Sequence, residues 1–237
     1  MLTLAFETSA KAASVALMED GTLLGESYLN TGLTHSQTLM VMAEDLLKTC
    51  DLKPQQVQAA AVAAGPGSFT GVRIGVAAAK GFAWGLQIPC YGVSTLLSMA
   101  LNFGACEGYV LPVMDARRSQ VYTALFHAHA GKLERVREDR AISLQELEAN
   151  IKNLQEPVFL VGDGSVLCYN TLSEGVPNLV KPAPHRMHQR AAGVALAAEQ
   201  AMAEGLAGDG AALTPNYLRL SQAERERLAR EKQNKGE

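Results

Sequence analysis

Two carboxylates and one glycine loop are the residues whose types and spacing can do chemistry. Glu7, followed by Thr8 and Ser9, ends one apolar run, and Asp115, in Met114-Asp115-Ala116-Arg117, ends another. Two acids at strand ends that face one cleft can hold Mg²⁺ and a nucleotide phosphate. The same acids at strand-to-turn corners can instead simply accept hydrogen bonds from neighbouring backbone amides. The loop is Gly65-Pro66-Gly67-Ser68, between the apolar run 59–64 and a small-residue helical pattern that begins near Phe69 or Thr70. Its glycines open the backbone, and Ser68 or Thr70 can cap the helix. Gly65, Gly67, Ser68 and Thr70 therefore form a candidate anion or nucleotide loop. They serve equally well for a sharp turn and close helix-on-sheet packing.

Several chemistries are excluded. A Walker loop ends in Gly-Lys-Ser/Thr, whereas this one runs into Phe69-Thr70-Gly71. Gly65, Gly67 and Gly71 are spaced G-x-G-x-x-x-G, and the next apolar run, 88–93, carries no acid, which argues against a dinucleotide site. His185 and His188 form an H-x-x-H pair with no acid close by, unlike the H-E-x-x-H of zinc helices. His127 and His129 at a turn, and His35 at a helix start, are read as polar surface or cap residues. Cys50, Cys90, Cys106 and Cys168 make no C-x-x-C pair and are read as reduced thiols in apolar surroundings.

The elements that must position these residues follow from the pattern. Runs at 3–8, 13–18 and 22–29, with a Glu19-Asp20-Gly21 turn, predict a three-strand antiparallel meander. A helix over 35–48, a strand over 59–64, a helix over 70–84, a strand over 88–93 and a helix over 94–103 follow. The order then recurs: strands at 108–114, 120–127 and 132–140, a helix at 143–152, a strand at 158–162 and a helix at 165–173. Residues 6–17 lie without gaps over 114–125, with an acid ending the first strand and Ala-Leu ending the next in both copies. The chain reads as α/β with two related lobes, each β-β-β-α-β-α. The expected ranges are 1–105 for the first lobe, 106–220 for a smaller second lobe and 221–237 for a charged flexible tail. An alanine-rich helix at 187–204 is expected to pack back on the first lobe.

The 237 residues are 48% hydrophobic and 19% charged, enough for one large or two small cores. A net charge of -3 gives no general attraction to nucleic acid or to an anionic membrane. The amino terminus opens straight into a strand pattern, and the longest apolar segment contains Arg73 and Lys80. The expectation is a cytoplasmic chain with no signal peptide and no membrane span. The helix over 35–48 carries Leu39, Met40, Val41, Met42, Ala43, Leu46 and Leu47 on more than one face. The helix over 70–84, with Gly71, Gly75 and Ala79 at four-residue spacing, is likewise apolar around. Two such helices predict a partner surface, unless the 187–204 helix covers the extra face.

Together, Glu7-Thr8-Ser9, Thr34-His35-Ser36-Gln37, the run Gly65-Pro66-Gly67-Ser68-Phe69-Thr70-Gly71-Val72-Arg73-Ile74-Gly75, Gly92-Val93-Ser94-Thr95-Leu96 and Met114-Asp115-Ala116-Arg117 resemble the bacterial TsaB family. The likeness spans nearly the whole chain and is strongest in the first lobe. It implies two ribonuclease H-like lobes of the actin/hsp70/sugar-kinase class. It also implies a non-catalytic subunit of the complex that adds threonylcarbamoyl to the adenosine beside the tRNA anticodon. The partners implied are TsaD, the catalytic paralogue, as a heterodimer, the ATPase TsaE, and tRNA held through the complex, with a homodimer in isolation and no DNA. Where TsaD has a His-x-x-x-His metal pair, this chain has Thr95 and Met99. Neither suits a catalytic metal, so no metal and no catalytic residue is expected. Glu7 and Asp115 become vestigial acids, and any nucleotide belongs at the complex interface. The partner face is expected on His35, Leu39, Met40, Val41, Leu47, Gly71, Arg73, Ile74, Gly75 and Ala78. The alternative is a stand-alone nucleotide hydrolase or kinase of the same fold.

Overall fold

The computed structural model describes residues 1–104 and 106–219; the tail expected at 221–237 lies outside the described residues. Strands β1 (Leu2–Glu7), β2 (Ala13–Glu19) and β3 (Thr22–Leu29) form the expected meander, followed by helix α1 (His35–Thr49), β4 (Ala59–Gly65), α2 (Phe69–Leu86), β5 (Cys90–Ser94) and α3 (Thr95–Phe103). The sheet order is β3-β2-β1-β4-β5, with β4 and β5 added parallel to β1.

The second pass gives β6 (Gly108–Asp115), β7 (Gln120–His129), β8 (Lys132–Ser143), α4 (Leu144–Ile151), β9 (Val158–Val161), α5 (Ser165–Leu172) and β10 (Leu179–Val180). Read from its meander edge, that sheet runs β8-β7-β6-β9-β10, the same order as the first. The protein thus has two copies of one mixed five-stranded sheet, the two related α/β lobes that the repeat predicts. Strand β10, only two residues long, had no periodic signal to announce it.

Alternation along each strand divides the cores. Leu4, Phe6, Val15, Leu17 and Val62 point to one face of the first sheet, where they meet α1 and α2. Full burial of a side chain such as Phe6 stabilises by about 2–3 kcal/mol. Ala5, Ala16, Ala61, Ala63 and Val93 point the other way, onto helix α6 (Ala191–Ala203). Alanine on both sides lets that helix lie close to the sheet. Helix α3 is shared: Leu96, Met99 and Ala100 pack on Val110, Met114, Phe126 and Val161 of the second sheet. Ser94 caps α3 and also donates to Asp139 Oδ2 on β8 at 2.5 Å, which ties the lobes together.

Helix α6 starts at Ala191 rather than 187, because a 3₁₀ turn at Pro184–Arg186 precedes it. Strand β5 starts at Cys90 rather than 88, because Gln87, at φ 55°, ends α2 in the left-handed region and Ile88-Pro89 only lead in. After α6 the chain stays with the first lobe. The Cys90 amide donates to the Gly208 carbonyl at 3.1 Å and the Asn216 amide to the Ala64 carbonyl at 2.6 Å. The second sheet ends at Val180, within the range 106–220 expected for its lobe. Burial pushes the thiols of Cys90 and Cys168 up to about 11 and about 12, so neither is a ready thiolate. Among the described residues no helix is long and apolar enough to cross a membrane.

Candidate functional site

The turns after the first strand of each lobe face one another across a cleft of about 740 Å³. Ser9, Ala10 and Lys11 line one wall with the glycine loop, Asp115, Arg117 and Arg118 line the other, and Asn216 to Arg219 cross the mouth. Asp115 and Glu7 do not meet in it. Asp115 is exposed and its Oδ1 accepts from the Arg117 amide at 2.7 Å. Glu7 is wholly buried and its Oε1 accepts from the Ser9 amide at 2.5 Å. Each acid thus bonds the amide two residues on, the corner role that strand-end acids also serve. Glu7 is not a cleft ligand, contrary to the reading in which both carboxylates face it. Burial, with the Asp163 charge nearby, pushes its carboxyl up to about 7. The second Glu7 oxygen, Oε2, is buried and has no partner among the described residues.

Asp163, which sequence reasoning missed, lines the cleft. Burial raises its carboxyl too, against a 3.1 Å bond from the Gln189 amide group. A signal was present: Gly162-Asp163-Gly164-Ser165 follows β9 as Gly65-Pro66-Gly67-Ser68 follows β4. Gly65 at φ 119° and Gly162 at φ 109° occupy a region that L side chains rarely adopt.

The glycine loop is explained largely by packing. A Cβ at Gly67 would overlap the Ser9 carbonyl, one at Gly71 the Thr8 carbonyl, and one at Gly75 the Thr8 hydroxyl. The Ser68 amide donates to the Ser9 carbonyl at 2.6 Å, and Ser68 Oγ accepts from the Gly71 amide at 3.3 Å. Of the donors a helix start offers an anion, these two are already occupied. Thr70 remains exposed at the rim. Above the loop, Tyr217 stacks on Phe69 with ring centroids 4.8 Å apart. Arg73 lies 3.8 Å over the Phe69 ring and donates to the Tyr217 hydroxyl at 2.7 Å.

The ten residues expected at a partner face divide. Met40 and Val41 are 44% and 54% exposed. Leu39, Leu47, Gly71 and Gly75 are buried within this chain and correct that expectation: the leucines sit in the first core and the glycines lie against Thr8. Ile74 and Ala78 are half-buried, and Arg73 is engaged with Phe69 and Tyr217. His35 Nε2 bonds the Ala10 carbonyl at 2.8 Å, tying the start of α1 to the β1–β2 turn. Helix α6 lies on the opposite face of the sheet; among the described residues one flank of α2 is held by residues 211–217 through Lys80 and Arg73, and the outer side of α1 with the Trp84 end of α2 is left uncovered. Sequence reasoning missed Trp84 on α2, 80% exposed beside a groove formed with Lys80, Ile88 and Pro89. Thr95 and Met99 are buried at the lobe junction.

The threonylcarbamoyltransferase family described as TsaD, tRNA N6-adenosine threonylcarbamoyltransferase, matches residues 30–227. The Bacillus subtilis tRNA threonylcarbamoyladenosine biosynthesis protein TsaB is 35% identical over 226 residues, 94% of this chain and 96% of that protein. The chain belongs to the TsaB family. The Escherichia coli TsaB protein is 38% identical over 149 residues, 62% of this chain and 64% of its own length. The solved structure of YeaZ from Pseudomonas aeruginosa, 27% identical, superposes with a TM-score of 0.71 over 92% of this chain and 99% of that one. In this TsaB-family chain the family's glycine run is the segment that locks α2 onto the β1–β2 turn.

Proposed function

We propose that this chain is an accessory subunit in the biosynthesis of threonylcarbamoyladenosine in tRNA, pairing with a TsaD-type transferase through the outer side of α1 and α2. The single observation that carries the reading is that two-helix surface, uncovered among the described residues, with Met40, Val41 and Trp84 exposed. Gly81 and Gly85 add support: a Cβ there would meet nothing within 4 Å among the described residues, so none of those residues requires them to be glycine. Each costs the helix about 1 kcal/mol relative to alanine, which makes sense where another chain must come close. A TsaE-type ATPase joins the same assembly, tRNA is held through it, and the isolated chain pairs with a second copy over the same surface, in the cytoplasm. No catalytic step is assigned to this chain. Thr95 and Met99, at the positions of the paralogue's metal histidines, are buried and chemically unsuited to that metal.

The hydrolase or kinase alternative needs Glu7 at the reacting phosphate, and a wholly buried Glu7 bonded to Ser9 does not support it. The deciding variant is the double substitution Met40→Glu/Val41→Glu, since both side chains are exposed and the fold does not need them. Unpaired charge at a desolvated contact is expected to weaken association with the transferase about 30-fold or more, with the far-UV spectrum of the isolated chain unchanged. Retained association would remove this surface from the reading.

A further inference from the structure

We propose that the rim of the inter-lobe cleft contacts the phosphodiester backbone of RNA, through Lys11 of the first lobe, Arg117 and Arg118 of the second, and Arg219 at the cleft mouth. This rests on the reading that the chain works on tRNA. The cluster departs from the chain's overall balance: the net charge is -3, yet four cations from three separate segments line one opening. None of the four forms an ion pair among the described residues. Arg219 is oriented across the mouth by a 2.6 Å bond to the Ala116 carbonyl.

The turn that presents the two arginines is costly. Arg117, Arg118 and Ser119 have φ of 62°, 56° and 54°, three side-chain-bearing residues in succession in the left-handed region. Each costs about 1–2 kcal/mol relative to the right-handed region. Asp115 holds the turn by accepting from the Arg117 amide, and the Ala116 amide donates to the Gln120 carbonyl at 3.0 Å. A turn needed only to join two strands is cheapest with glycine or asparagine. Here both guanidinium groups are carried outward on exposed residues, where strain of this kind accompanies recognition.

The acids decide the class of anion. Asp115 and Asp163 line the same cleft and repel a polyphosphate tail reaching its floor. Phosphates spaced along a chain, lying across the opening, meet the cations and avoid the acids. Tyr217, 40% exposed and backed by Phe69, offers a ring to a nucleobase at the same edge.

The test measures binding of a fluorescently labelled tRNA transcript to the assembled complex of full-length chain and transferase, by anisotropy between 50 and 200 mM salt. Arg117→Glu/Arg118→Glu is expected to weaken binding at least tenfold and to reduce the slope of log K against log salt by about one per arginine. Arg117→Lys/Arg118→Lys should restore much of both. Unchanged affinity and slope would overturn the proposal while leaving the subunit reading intact. Failure of the glutamate variant to assemble would also overturn it, placing the rim in the protein interface. Displacement of the tRNA by ATP at equal concentration would overturn it in favour of a mononucleotide site. A wild-type chain that does not assemble at all would instead remove the subunit reading.

Discussion

Gly71→Ala is expected to destabilise the chain by about 3 kcal/mol, the upper end of what overpacking costs. Helix propensity alone predicts the opposite, since alanine outranks glycine by about 1 kcal/mol in a helix interior. The clash wins because the added Cβ would overlap the Thr8 carbonyl, a backbone group held by the first sheet, and cannot be relieved by a rotamer change. Gly81→Ala, ten residues on in the same helix, is the matched comparison. A Cβ there meets nothing within 4 Å and should stabilise by about 1 kcal/mol. Urea denaturation of the two variants should move the midpoint in opposite directions with little change in slope. Equal effects would mean that α2 does not lie on the β1–β2 turn as described. The same geometry holds at Gly75, where any side chain would be driven into Thr8 and Val62.

The second large effect concerns pH. Glu7 is pushed up from an ordinary 4.5 to about 7, chiefly by burial. Between those values the folded chain holds a proton that the unfolded chain has released. Folding stability is therefore highest below about pH 4.5 as far as this group is concerned, falls as pH rises through 7, and is level above. The difference is about 3 kcal/mol. Asp163, also raised by burial, acts in the same direction. Glu7→Gln keeps an oxygen to accept from Ser9 and removes the charge. The variant should match the parent near pH 4 and exceed it at pH 8 by about 3 kcal/mol, or roughly 6–12 °C in melting temperature. A parent chain whose stability does not fall between pH 5 and pH 8, or a variant that falls alongside it, would show that Glu7 is not the buried acid responsible.

The element order, the duplication and most boundaries were legible because they rest on local periodicity and turn chemistry. The gapless match of 6–17 with 114–125 pointed to two copies of one sheet, and the sheets agree in strand order. What the match did not carry is pairing: Glu7 sits opposite Ser14, while Asp115 sits opposite Val121, a partner one place earlier in the repeat. Equivalent acids therefore end in different surroundings, one buried and one exposed. The helix faces were half legible. Periodicity showed that α1 has apolar residues to spare and left Leu47 over with Met40 and Val41, because a helical wheel does not reveal how wide a stripe the sheet will cover; Leu47 lies in the core. The cleft was least legible, since Lys11, Asp163 and Tyr217 are far apart in sequence and come together only by tertiary packing.

Because α6 and residues 206–219 return to the first sheet, the second lobe is an insertion within the first. On a ribosome, the alanine face of that sheet stays bare from the completion of β5 until α6 emerges, on the order of ten seconds at ordinary elongation rates. The last described helix to be made thus completes the lobe that was begun first. A chain interrupted anywhere between Phe103 and Ala191 carries an open apolar sheet surface and is a substrate for chaperones or aggregation rather than a shortened working protein.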